Sequence, residues 1–176
     1  MSRIPPLLKE RDHILGSETA PINFVEYGDY QCPRCCQAHQ MVKAICQQLD
    51  TQICFGFRHF PLSAIHPYAQ YAAEVAEAAS AQAHFWQVHD YLFEHQQRLG
   101  NGQLLRYVKQ LGMDIDRFER EIAEHQYTER VHQDMVSGIQ GGVNGTPTFF
   151  INGDRYDGAY DYDAILAKIY AILSAL

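Results

Sequence analysis

The sequence predicts an α/β fold whose strand–helix–strand unit is interrupted by a long helical segment. Three observations predict it. A short apolar run, Ile22 to Tyr27, stops at a turn and gives way to a helix headed by Cys32-Pro33-Arg34-Cys35. A second apolar run, Gln52 to Phe60, follows that helix with little alternation, as a buried parallel strand does. From His66 to about Gln140 the apolar residues then recur at helical spacing.

The elements follow in order. Residues 1–12 form a lead-in, and Ile14-Leu15-Gly16 suits a short strand and turn. In Ile22–Tyr27, alternation places Glu26 on the side of Ile22 and Phe24, so this carboxylate is either at a solvated edge or buried with a raised pKa. Gly28-Asp29-Tyr30-Gln31 reads as a turn. The helix from Pro33 to Leu49 directs Val42, Ile45 and Leu49 inward. Pro33 suits the first helical position, where the amide hydrogen has no partner inside the helix.

Within the helical segment, Pro67 suits the start of a helix that includes Tyr71, Ala72, Val75, Ala78 and Ala79. A second helix carries Phe85, Val88, Leu92 and Phe93. Asn101, Asp114 and Thr128 are candidate caps for three more. Gly141-Gly142-Val143-Asn144-Gly145 breaks the pattern. A strand, Thr148–Ile151, follows Thr146-Pro147, and Asn152-Gly153 has the form of a two-residue hairpin turn. A last helix starts near Asp161, with Ile165, Ile169 and Ile172 on one face.

The chemistry concentrates at the two cysteines. The tip of a helix presents unpaired amides and the positive end of its dipole, so a thiolate at Cys32 is stabilised, and Arg34 adds a cation. Cys35 lies one turn along, placed to attack a mixed disulfide on Cys32. The five cysteines, 32, 35, 36, 46 and 54, crowd into the first third of the chain. One redox pair and three free thiols describe them better than a disulfide framework. Cys46 is expected to pack as a small apolar residue. Cys36 is inert or a third thiol open to side reactions.

Composition bounds the rest. The formal net charge of −7 argues against nucleic-acid binding, and no apolar run approaches a membrane span. Met1–Glu10 lacks the apolar stretch of a secretory signal, which predicts a cytoplasmic protein, or a periplasmic one if a signal has been removed. Zinc is the chemical rival: Cys32, Cys35 and His39 share one helical face. No second ligand pair follows, and His39 reads as a solvated or capping residue. His59 and His66 read as surface residues, although they could border a groove. The charges of Glu119, Arg120, Glu121 and Glu124 read as a solvated helix face. Phe60, Tyr68, Phe85 and Trp86 are expected in the core, and Tyr30, beside Cys32, on the rim of a substrate groove.

Asp12 to Gly16, Ala20-Pro21, Val25 to Tyr27 and Asp29 to Pro33, with Gly145 to Gly153 later, resemble DsbA-like thiol–disulfide oxidoreductases of the thioredoxin superfamily. The resemblance spans roughly residues 12–176. It implies a thioredoxin fold with an all-helical insertion after the second strand of the βαβ unit. Residues 12–62 and 141–176 form the thioredoxin-like domain, and 63–140 the inserted helical domain. It also implies roles. Cys32 is the exposed nucleophile, Cys35 the buried resolving thiol and Glu26 the buried acid. Pro33, Arg34, Thr146 and a cis Pro147 tune the pair, and Tyr30 and Gly145 line the groove. Thiol- or disulfide-containing protein substrates and a redox recycling partner are implied. A monomer needing no metal or organic cofactor beyond the Cys32–Cys35 disulfide is expected. Pro33-Arg34 departs from the Pro-His familiar in DsbA but keeps a positive charge. A cytosolic thioredoxin-like reductase is the alternative within redox chemistry. Outside it stand a zinc-binding module and a glutathione- or ligand-binding module.

Overall fold

The computed structural model describes residues 3–5, 11–100 and 102–176. Its centre is β2 (Ile22–Gly28), flanked by β3 (Ile53–His59) in parallel and β4 (Thr148–Ile151) in antiparallel register. The edges are β1 (His13–Gly16), antiparallel to β3, and β5 (Asp154–Arg155), antiparallel to β4. The sheet order is therefore β1-β3-β2-β4-β5. The parallel β2–β3 pair requires a crossover, and α1 (Pro33–Leu49) supplies it. Asn152 and Gly153 both have positive φ, as a type I′ hairpin turn between β4 and β5 demands.

The helical segment between β3 and β4 contains α2 (Ala69–Ser80), α3 (Phe85–Glu94), α4 (Gln103–Gln110), α5 (Ile115–Ala123) and α6 (Thr128–Gln140). The chain closes with α7 (Tyr162–Leu173). Asp114 and Asp161 cap α5 and α7 by accepting from the amides of Arg117 and Ala164. The cap expected at Asn101 lies outside the described residues. Thr128 is no cap: it is the first residue of α6, and its hydroxyl donates to Glu74 Oε1. The helix expected from Pro67 begins two residues later, at Ala69.

Both faces of β2 are covered. On one face, Ile22 and Phe24 join a core that takes Ile45 and Leu49 from α1, Ala72 and Val75 from α2, Phe93 from α3, and Ile165 and Ile169 from α7. One apolar core thus holds residues from the sheet and from the helical segment alike. On the other face, Val25 and Tyr27 pack with Ile4, Phe60, Val143 and Phe150. Gly138 of α6 lies here because a Cβ would stand 2.9 Å from the Tyr27 ring.

Several polar residues read as surface groups are inside. Glu121 is buried, accepting from Arg117 Nε and the Tyr127 hydroxyl. His59 is fully buried and bonds Glu77 Oε1 at 2.7 Å, while His66 is half-buried against Asp29. Each histidine lies where a carboxylate from another segment meets it, which chain periodicity does not report. Tyr68, expected in the core, is exposed.

Arg58 of β3 is the largest fully buried side chain. Its Nε and Nη2 donate to the two oxygens of Asp12 at 2.8 and 2.9 Å, and its Nη1 donates to the Tyr27 hydroxyl at 3.0 Å. Removing one member of such a pair strands the other charge away from water. The expected outcome for Asp12→Ala is a loss of about 3–5 kcal/mol in urea unfolding. A loss well under about 1 kcal/mol, the scale of a surface pair, would mean that water reaches Arg58.

Candidate active site

The site is built where β2 ends. Its last residue, Gly28, leads into a turn fixed by Asp29. Asp29 is buried; its Oδ1 accepts from the Gln31 amide, and its Oδ2 accepts from the Leu62 amide and meets His66 Nδ1 at 2.7 Å. The Asp29 carbonyl accepts from the Cys32 amide at 3.1 Å. Cys32 is the N-cap of α1 in extended conformation, and Pro33 takes the first helical position as the sequence predicts. No acidic residue stands in the first turn, so nothing there neutralises the positive end of the helix.

Both Cys32 and Cys35 are free thiols in this structure. Their surroundings differ sharply. Cys32 is held down to a pKa of about 5, chiefly by a hydrogen bond from Cys35; burial opposes this, and the Thr146 side chain and the amides of Cys35 and Arg34 assist. The Thr146 hydroxyl is buried and has no hydrogen-bond partner in this structure. Cys35 is pushed well above its ordinary value by burial, by its role as donor to Cys32, and by the nearby Glu26. Cys32 is less open than expected, at 6 % exposure against 0 % for Cys35. Its Sγ lies 3.4 Å from the carbonyl oxygen of Thr146, whose bond to Pro147 is cis, as the resemblance implies.

Glu26 lies in the middle of β2, 2 % exposed, paired across the sheet with Phe57 and Phe149. Of the two placements left open by alternation, the buried one is realised. Its Oε1 has no hydrogen-bond partner, and burial, reinforced by Cys32, raises its pKa to about 8. A carboxyl of this kind is a neutral acid near physiological pH and a proton donor or acceptor within the core.

Beside the cysteines runs an open groove of about 470 Å³, lined by Arg34, Gln37, Met41, Thr146, Pro147 and Tyr160, among others. Arg34 and the neighbouring Pro33 are both exposed. Gly145, half-buried, has open space where a side chain would stand. Tyr30 does not line this groove. It is 1 % exposed, packed on Phe57 and Phe93, with its hydroxyl 2.9 Å from His89 Nδ1. A partner for the hydroxyl inside the helical segment draws the ring inward. His39 is buried too, stacked on Phe93 and turned toward α3. It does not join the cysteines in a ligand set.

Sequence reasoning missed Gln96. Its amide nitrogen donates to the carbonyls of Tyr30 at 2.9 Å and Cys32 at 2.8 Å, tying the helical segment to the tip of α1. Nothing local marks a glutamine in a 3₁₀ turn for this task. The other thiols are held in check. Burial raises Cys46 to about 12 and Cys54 to about 11, and the half-buried Cys36 thiol donates to the Phe93 carbonyl at 3.4 Å.

The sheet order, the helix inserted after the parallel pair, and the cysteine pair facing a cis-proline turn define a thioredoxin-type fold. The sequence matches the thioredoxin family over residues 8–171, and the chain belongs to that family. The fold superposes on BdbD from Bacillus subtilis with a TM-score of 0.84, at 22% identity over 98% of both chains. It superposes on alpha-DsbA1 of Wolbachia pipientis with a TM-score of 0.81, at 21% identity over 97% of this chain and 94% of the other. In sequence, the chain is 43% identical over 170 residues to a protein of Salinispora tropica named Na(+)/H(+) antiporter NhaA 3, covering 97% of this chain and 26% of that protein. A Salinispora arenicola protein named Na(+)/H(+) antiporter NhaA 1 is likewise 43% identical, over 164 residues that make up 25% of its length. The chain thus spans about a quarter of the curated relatives it matches. Among the described residues, no helix is long and apolar enough to cross a membrane.

Glu26 makes a prediction with a definite sign. Its folded pKa lies above its unfolded one, so the folded chain binds the extra proton between about pH 4.5 and 8. Stability therefore falls as pH rises through that window. With the disulfide formed, Cys32 carries no charge and burial alone acts. Urea unfolding of the oxidised protein is expected to show this fall, and Glu26→Gln is expected to flatten it and to stabilise the protein at pH 8. An unchanged profile in Glu26→Gln would mean that Glu26 is ionised at neutral pH.

Proposed function

We propose that this chain is a DsbA-like thiol–disulfide oxidoreductase, working as an oxidase that passes the Cys32–Cys35 disulfide to protein thiols. The observation that carries the reading is the contrast between the two sulfurs: Cys32 favours the thiolate and Cys35 favours the thiol. A stabilised Cys32 thiolate stabilises the reduced protein, and a pair whose reduced form is stable is a strong oxidant.

In the oxidised protein, a substrate thiolate attacks Cys32 Sγ. A substrate–Cys32 disulfide forms, the Cys32–Cys35 bond breaks, and its electron pair goes to Cys35 Sγ. The neutral Glu26 carboxyl gives Cys35 a proton and regains one from solvent. A second substrate thiolate then attacks the substrate sulfur of the mixed disulfide, and Cys32 leaves as the low-pKa thiolate. Two substrate thiols become a disulfide, and two electrons now reside on the cysteine pair. In the reductive direction Cys35 performs the second attack, after losing its proton to the Glu26 carboxylate.

The incoming peptide lies beside Thr146-Pro147 as an added strand, in the groove that these two residues line. The pair and these backbone groups suffice for exchange, so the reading needs no metal and no organic cofactor. A disulfide-bearing recycling partner restores the oxidised pair, and the unit acts as a monomer. Disulfide donation works where disulfides persist, so this reading favours the periplasmic alternative over a cytoplasmic site.

Trapping tests it. In Cys35→Ala the second attack is lost, so Cys32 incubated with an oxidised cysteine peptide is expected to accumulate the peptide as a mixed disulfide. Cys32→Ser is expected to accumulate none, and Cys36→Ser in the Cys35→Ala background to leave the adduct in place. No adduct on Cys35→Ala, or an adduct lost with Cys36, would overturn the assignment.

A further inference from the structure

Behind the redox pair, on the far side of the first turns of α1, His39 meets His89 and Asp90 of α3. One donor atom from each lies within 4.8 Å of the others. We infer that these three side chains form a binding site for a divalent transition metal of the zinc type, tying the redox helix to the helical segment. No metal is implied at the cysteines, and this site is separate from them.

Three observations carry it. First, His39 is only 4 % exposed, yet its Nε2 has no hydrogen-bond partner. A buried ring nitrogen without a partner forfeits a hydrogen bond's worth of free energy, and a bound cation would recover it. Second, this Nε2 lies 3.4 Å from Asp90 Oδ1. That is too long for a good hydrogen bond. It is the edge of a zinc tetrahedron, in which two donors at about 2.0–2.1 Å from the metal stand roughly 3.4 Å apart. Third, His89 is oriented from behind. Its Nδ1 is 2.9 Å from the Tyr30 hydroxyl, which leaves Nε2 as the ligating nitrogen. Metal-bound histidines characteristically use the second nitrogen in such a hydrogen bond.

The donor set, two imidazoles and a carboxylate, suits zinc and its neighbours rather than calcium or magnesium. Access is open, because the Asp90 side chain is 39 % exposed. Lys43 is the competing cation: its Nζ donates to Asp90 Oδ2 at 2.8 Å, on the carboxylate's other oxygen, and stands 3.9 Å from Glu94. With three protein ligands, the fourth position of the tetrahedron falls to a water. The metal would bridge α1 and α3 four residues past Cys35, and any metal that prefers the folded chain raises its stability by mass action.

The test uses Zn²⁺ alone and the oxidised protein, so that the Cys32–Cys35 thiolates do not compete. Calorimetric titration is expected to show one zinc per chain and an accompanying rise in Tm. His39→Gln and Asp90→Asn are each expected to weaken binding by more than about tenfold, the cost of losing even a group that only hydrogen-bonds a ligand. Lys43→Met removes the competing charge and is expected to tighten it. Cys36→Ser is expected to change nothing. Should His39→Gln fail to fold, Asp90→Asn and Lys43→Met still decide, because both residues are partly exposed. No zinc binding by the oxidised wild-type chain would overturn the inference. So would equal affinity in Asp90→Asn, or binding that disappears in Cys36→Ser.

Discussion

Two sulfurs one helical turn apart are held in opposite environments because α1 meets the end of the sheet tip first. The tip offers unpaired amides to Cys32, while the next turn carries Cys35 into the core beside Glu26. Much of the surrounding structure holds that tip in place. Asp29 fixes the turn ahead of it, Gln96 holds the carbonyls of Tyr30 and Cys32, and Thr146 faces the outer sulfur. The hydrogen bond from Cys35 to Cys32 is the chief cause of the low pKa of Cys32, while burial first, and then that same bond, raises Cys35.

Glu26 and Cys32 pull stability in opposite directions with pH. The reduced chain gains stability from the Cys32 thiolate as pH rises from about 5 toward the ordinary thiol range, and loses that stability as pH falls through 5. The buried carboxyl acts with the reverse sign over an overlapping window. Between about pH 5 and 8 the two slopes oppose one another, so the reduced chain's stability is expected to change little with pH there.

The helical segment is more than a cover. It carries buried polar groups that find their partners across helices or on the sheet: Glu77 receives His13 and His59 at 2.7 Å each, and Glu74 takes Gln70, Thr128 and His125. Burial alone would raise the Glu77 pKa, yet the two histidine hydrogen bonds outweigh it and hold it below the usual carboxylate range. These pairs explain where the sequence was legible and where it was not. Elements set by period and punctuation could be read directly: the β2–α1–β3 unit, the caps at Asp114 and Asp161, and the Asn152-Gly153 turn. So could the cysteine pair, since its chemistry depends on spacing within one helix. Tyr30 and His59 could not, because these polar side chains turn inward where a distant chain segment offers a partner. His89 and Glu77 stand 59 and 18 positions away from them.

The central claim is that the reduced pair is stabilised through Cys32, and the reduction potential reads that most directly. Equilibration of the Cys32–Cys35 couple in glutathione buffers is predicted to give a value near about −120 to −180 mV, the range of disulfide donors and isomerases. A value near about −270 mV, the range of thioredoxin, would contradict it and make the chain a reductant on a DsbA-like frame.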